Sequence, residues 1–320
     1  MPPDWDATFA TGAQILAVLL LSPLLAGILA RTKAWTESRR GPPILQPYYD
    51  LRKLLRKETL RPSNTSRLFV AAPFVAFAAY MVISVVVPII TPYPLPYASV
   101  VDFLGGGLLF ALAGVVTILA ALDAGSNYTA LGASRSVSFA ALAEPTLIVV
   151  FFAVAVITGT NNPYVTNNVL SASWSSYLSP PHLLVTAAFF LLLLVETAKL
   201  PVESSGLMEF GMLEDGRTYE HSGRLLGLLR WNSWLKQFLL FSVFVNVFAF
   251  PWGMLTDTGP IATLANIGIL LAKLLVLVAI LVLLEATLAK VRLFKIRDFL
   301  ALSFSLAILS FFAFAVLGGA

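Results

Sequence analysis

Cysteine is absent from all 320 residues, and histidine occurs only at His182 and His221. Without thiolates the chain has no means of holding an iron-sulfur cluster, a nickel-iron centre or a Cys-ligated zinc, so any electron transfer takes place in a partner. Charge is scarce too. Asp, Glu, Lys and Arg make up 12% of the chain, against about 25% in a soluble domain, while 58% of residues are hydrophobic and mean hydropathy is +0.85. This composition belongs in lipid and predicts one membrane domain over 1–320 rather than two soluble ones. The net charge of +4 and pI of 9.3 raise the question of nucleic acid, but the basic residues lie in short segments between apolar runs with few aromatics among them. Membrane topology accounts for them, and no nucleic-acid partner is expected. The first apolar run, Gln14 to Ala30, follows Asp4 and Asp6 with no Lys or Arg, the flank of a retained helix rather than of a cleaved signal peptide.

Apolar runs long enough to cross a ~30 Å hydrocarbon core occur at about 13–30, 68–91, 99–122, 139–158, 181–199, 235–252, 260–286 and 299–318. The fold class predicted is all-α, a polytopic bundle of about eight transmembrane helices. Lys and Arg crowd alternate connections: Arg31 to Arg67 in the first, Arg135 in the third, Lys199 to Lys236 in the fifth and its flanks, and Lys290 to Arg297 in the seventh. The opposite connections, Thr91 to Val100, Gly159 to Pro180 and Gly253 to Gly259, contain none. Positive residues mark the cytoplasmic side, so both termini face out.

Within the first cytoplasmic loop, 32–67, Leu45, Tyr48, Leu51, Leu54 and Leu55 recur at helical spacing beside Arg52, Lys53, Arg56 and Lys57. The pattern predicts an amphipathic helix at the lipid headgroups, with a solvated basic loop as the competing reading. The outer loop from Asn161 to Pro180 reads as plain polar connection. The fifth loop, 200–234, carries Glu203, Glu209, Glu214, Asp215 and Glu220 with Arg217 and Arg224, and its length suggests a docking surface.

A charge in hydrocarbon costs about 2.5–3.5 kcal/mol even on the lenient insertion scale, so each one should pair, face the bundle interior or line water. Lys273 lies mid-span. Asp123, Glu144, Glu196, Lys199 and Glu285 fall in the cytoplasmic half of four helices. Glu196 and Lys199 are three apart and share a helix face, which allows a pair. Lys273 precedes Glu285 by about 18 Å of helix, which suggests a polar track from the cytoplasmic side to mid-membrane. Such residues suit a proton relay; the alternative is that they lock helices together or snorkel to the headgroups.

The order of several motifs carries a family resemblance: Arg39-Arg40-Gly41-Pro42-Pro43, Leu45-Gln46-Pro47-Tyr48-Tyr49-Asp50, Asp123-Ala124-Gly125-Ser126, Gly132-Ala133-Ser134-Arg135, Glu144-Pro145, Glu196-Thr197-Ala198-Lys199-Leu200-Pro201, and Lys273 followed by Glu285 and Arg292. Over nearly its whole length the chain resembles the membrane subunit of formate hydrogenlyase and hydrogenase-4 complexes and, more distantly, the complex I subunit that floors the quinone chamber. The resemblance implies a subunit of a prokaryotic inner-membrane complex with no redox centre of its own. Nickel-iron and iron-sulfur centres would sit in hydrogenase large and small subunits and a ferredoxin-like iron-sulfur subunit, with antiporter-like subunits alongside in the membrane. It also implies docking loops around Arg39, Arg40, Asp50, Arg135, Glu203 and Glu209, and an ion path through Asp123, Glu144, Glu196, Lys199, Lys273 and Glu285. The loop after Pro201 is thinner in acid than in complex I, and Lys199 stands where Arg is usual there, which favours the hydrogenase branch over a quinone pocket. A free-standing transporter is the third reading, disfavoured because no internal repeat is visible.

Overall fold

The computed structural model describes residues 5–93, 95, 102–199, 216–257, 259–287 and 295–317. Eleven α-helices can be traced among them: α1 (Trp5–Thr36), α2 (Gln46–Arg56), α3 (Arg67–Val86), α4 (Phe103–Asp123), α5 (Asn127–Thr158), α6 (Pro163–Ala172), α7 (Trp174–Tyr177), α8 (Pro180–Glu196), α9 (Gly223–Val243), α10 (Pro260–Thr287) and α11 (Ile296–Leu317). A π-helical turn, Phe244–Ala249, continues α9. Six helices, α1, α3, α4, α5, α10 and α11, are long and apolar enough to cross a membrane, and α8 is a shorter apolar helix. With α8 and with α9 and its π turn packed among them, the described residues form the helical bundle of a multi-pass membrane protein, close to the expected eight helices.

Hydropathy misjudged several helix starts. α5 begins at Asn127 instead of 139, because Asn127 to Ser138 is small and polar yet continues the same helix, with Arg135 half-buried on it. α9 likewise begins at Gly223 instead of 235, since Arg224 and Arg230 mask its start. The outer loop 161–180 is not mere connection either. It folds into α6 and α7, and Tyr164, fully buried on α6, donates from its hydroxyl to Val85 O at 2.9 Å.

Lipid tails are as apolar as the bundle's own side chains, so shape and cross-helix hydrogen bonds hold the helices together. Ser303 and Ser310, two turns apart on α11, donate to Ala188 O and Pro181 O of α8, each at 2.7 Å. On α9, Asn232 donates to Pro73 O in α3 at 2.8 Å. Phe151, Phe189 and Phe248 fill the centre, with ring centroids 5.7 Å and 4.7 Å apart along that row.

Within the first loop the chain forms a short amphipathic helix, α2. Pro47 and Leu51 are buried, whereas Arg52, Lys53, Arg56, Leu45 and Tyr49 are exposed. It nests tightly because Gly27 of α1 lets the Ile44 carbonyl approach to where a Cβ would stand. The turn into α9 is equally close. Gly223, at φ +51°, faces the Glu58 carbonyl, and a Cβ there would fall 2.2 Å from that oxygen. Gly223→Ala is therefore expected to lower stability by about 1–3 kcal/mol, read as a fall in the unfolding midpoint in detergent, whereas Ala at Gly12, which has nothing within 4 Å, should be near neutral.

Beside that turn, His221 stacks on Phe69 with centroids 3.9 Å apart, and burial pushes its pKa down to about 4. The folded state thus holds the neutral ring, while the unfolded chain protonates near 6.5. Its contribution to stability is complete above pH 6.5 and is lost as pH falls toward 4, by about 3 kcal/mol in all. Replacing His221 with Phe is expected to flatten the pH dependence of unfolding within that window; an unchanged slope would show that another group governs it.

Candidate ion site

The charges expected to form one track divide among separate places. Glu196 closes α8, and its carboxylate pairs at 2.5 Å with Lys236 of α9, not with Lys199. The reason is local. α8 ends at Glu196, Ala198 turns to φ +52°, and the Lys199 amide folds back onto Leu194 O at 2.9 Å, so Lys199 does not lie one helical turn beyond Glu196.

The Glu196–Lys236 pair lines a cavity of about 110 Å³ between α4, α5, α8 and α9, together with Glu144, Ser136 and Arg217. A polar space of that size has room for water. Gly114 on α4 keeps the Glu144 side open; a Cβ there would fall 3.1 Å from Glu144 Oε1. Two carboxylates, an ammonium and a guanidinium thus border one wettable space, an arrangement able to hold and pass a proton. Sequence reading chose Glu144 and Glu196 but missed Lys236, which it had counted only as a topology-setting charge.

Elsewhere, Glu285 forms an ion pair with Lys33 of α1, away from Lys273. Asp123 accepts from the Ser66 amide at 2.8 Å and the Ser66 hydroxyl at 2.9 Å, which ties the start of α3 to the end of α4. Lys273 donates to Phe250 O at 2.7 Å and to Asn246 Oδ1 at 3.3 Å. None of these three lines the cavity.

Of the docking residues, Arg39 and Arg40 are exposed, Arg39 lying 3.6 Å from Glu37, and Asp50 accepts from Gln46 at 2.9 Å on α2. Glu203 and Glu209 lie outside the described residues. Among the described residues, no group of three or more His, Asp or Glu side chains is arranged to hold a metal.

Comparison with known families matches residues 10–316 to the NADH dehydrogenase family, a span from the first helix to the last. The chain belongs to the NADH dehydrogenase family. Among curated proteins, it is 31% identical over 304 residues to hydrogenase-4 component C of Escherichia coli (strain K12), covering 93% of each chain. It is 32% identical over 282 residues to formate hydrogenlyase subunit 4 of the same organism, covering 88% of this chain and 90% of that one. The NADH-ubiquinone oxidoreductase chain 1 of Sapajus apella is 28% identical over 259 residues, covering 75% and 77%. The same fold is seen in a chain of the membrane-bound sulfane sulfur reductase, an archaeal respiratory membrane complex, with a TM-score of 0.78 at 21% identity over 96% of this chain and 98% of that one.

Proposed function

We propose that this NADH dehydrogenase family member is the non-catalytic membrane subunit of a nickel-iron hydrogenase or formate hydrogenlyase complex of a prokaryotic inner membrane. It anchors a peripheral redox arm and couples that arm's turnover to movement of protons or sodium ions. The observation that carries this reading is the near full-length match in both directions to hydrogenase-4 component C and formate hydrogenlyase subunit 4; the match to NADH-ubiquinone oxidoreductase chain 1 is shorter and weaker. The lack of cysteine agrees with redox centres held in partner subunits, namely a hydrogenase large and small subunit and a ferredoxin-like protein. The exposed basic face of α2 and Arg39 and Arg40 suit docking of that arm, and the half-buried Arg135 and the loop bearing Glu203 and Glu209 would complete the surface.

The Glu144, Glu196 and Lys236 cavity is the proposed entrance of the ion path, leading laterally to antiporter-like neighbours. Lys199, Asp123 and Glu285 lie at its cytoplasmic approaches in this reading. Co-purification tests the assignment: the tagged chain is expected to bring down a cysteine-bearing nickel-iron subunit and hydrogen-evolving activity. A complex without either, whose activity instead falls to quinone-site inhibitors, would favour a quinone-chamber subunit of a complex I-like enzyme. In proteoliposomes of the intact complex, Glu144→Gln is expected to reduce ion uptake to that of empty vesicles while the complex remains assembled; unchanged uptake would remove Glu144 from the path.

A further inference from the structure

The π turn ends α9 irregularly, and four carbonyls around it meet donors from other elements. Asn167 of α6 donates to Asn246 O at 2.5 Å and Pro251 O at 3.2 Å, and the Tyr177 hydroxyl of α7 donates to Ala249 O at 2.6 Å. Phe250 O alone of the four is met by an ammonium, that of Lys273 from α10. The Asn167 bonds are buried, whereas the Lys273 bond lies on the exposed side of the bundle; in lipid such freed carbonyls persist only where protein groups satisfy them.

A second acceptor is fixed in place beside it. Asn246 is fully buried, and its Nδ2 donates to Pro88 O at 3.0 Å and Ile89 O at 2.9 Å. Both amide hydrogens are thereby used, so Oδ1 must point the other way, toward Lys273. The ammonium is held by neutral oxygens. Among the described residues no carboxylate pairs with it. Carbonyls of unwound segments and helix C-terminal ends are donors to monovalent cations in membrane helices.

We propose that the break at the end of α9 is a monovalent-cation site, built by Phe250 O and Asn246 Oδ1, which the chain fills with its own tethered ammonium, Lys273 Nζ. The tether latches α10 to α9 and, through Asn246, to the segment that follows α3. Removing the side chain leaves a cradle matched to a small primary ammonium ion. The site does not depend on the hydrogenase assignment, because it concerns a contact within this chain alone.

Thermal unfolding of the full chain in detergent tests it, with methylammonium chloride titrated against choline chloride at equal ionic strength. Lys273→Ala is expected to unfold several degrees below the wild type, and methylammonium should restore the midpoint saturably. Choline, bulky and without N–H donors, should not, and neither salt should move the wild type differentially. Equal effects of the two salts on Lys273→Ala would overturn the proposal. Should that variant fail to accumulate, Lys273→Gln decides: it offers a neutral donor, so a midpoint below the wild type supports a cation site and equality with the wild type refutes it.

Discussion

Lys236→Met is expected to destabilise the bundle by about 3 kcal/mol, because it strands the Glu196 carboxylate in a site shared with Glu144. The paired side chains are only 26% and 14% exposed, so water does little to replace the lost ammonium. Breaking a buried pair costs more than the pair contributes, since the surviving charge keeps its desolvation penalty. The cavity of about 110 Å³ then keeps both carboxylates but only the Arg217 guanidinium as a cation. The double variant Lys236→Met with Glu196→Gln removes the stranded charge and is expected to regain most of the loss. Unfolding midpoints of the two single variants and the double variant form a cycle; a coupling energy near zero would mean that the pair contributes nothing despite its geometry.

Asn246→Leu is expected to cost about 4 kcal/mol. The change deletes two hydrogen bonds to the Pro88 and Ile89 carbonyls and one from the Lys273 ammonium, each worth roughly 1–1.5 kcal/mol and more where charged. Leucine fills a similar volume but leaves buried oxygens with no replacement donor. By contrast Asn266, which exchanges bonds only with Leu255 at 2.8 and 3.0 Å, closes a local loop and should cost less than half as much when replaced by Leu. Denaturant unfolding in mixed micelles compares the two. Equal losses would show that the hub at the π turn has no special weight.

Neither hub residue was legible as such before folding. A search for charges inside the apolar runs passes over the neutral amides there, among them Gln14 and Asn246, although both are fully buried. Gln14 donates to Ser84 O at 2.6 Å and Val87 O at 3.0 Å, holding α1 to the end of α3 much as Asn246 holds α9. A neutral amide in an otherwise apolar run was the available signal, since it too must find partners in lipid. Glu144 and Glu196 were found because a carboxylate inside a span stands out on composition alone.

The sequence by itself determined that this is a helical membrane protein, roughly how many helices it packs together and which connections carry the basic residues. Those properties are sums over neighbouring residues, and burial in lipid acts on each run separately. Only the tertiary structure decided the partners: Lys33 with Glu285 across 252 positions, Lys273 with Asn246 across 27, and Glu196 with Lys236 instead of Lys199. An ion pair depends on where two helices touch and how each one ends. A single turn at Ala198 was enough to send Glu196 to a different helix for its partner.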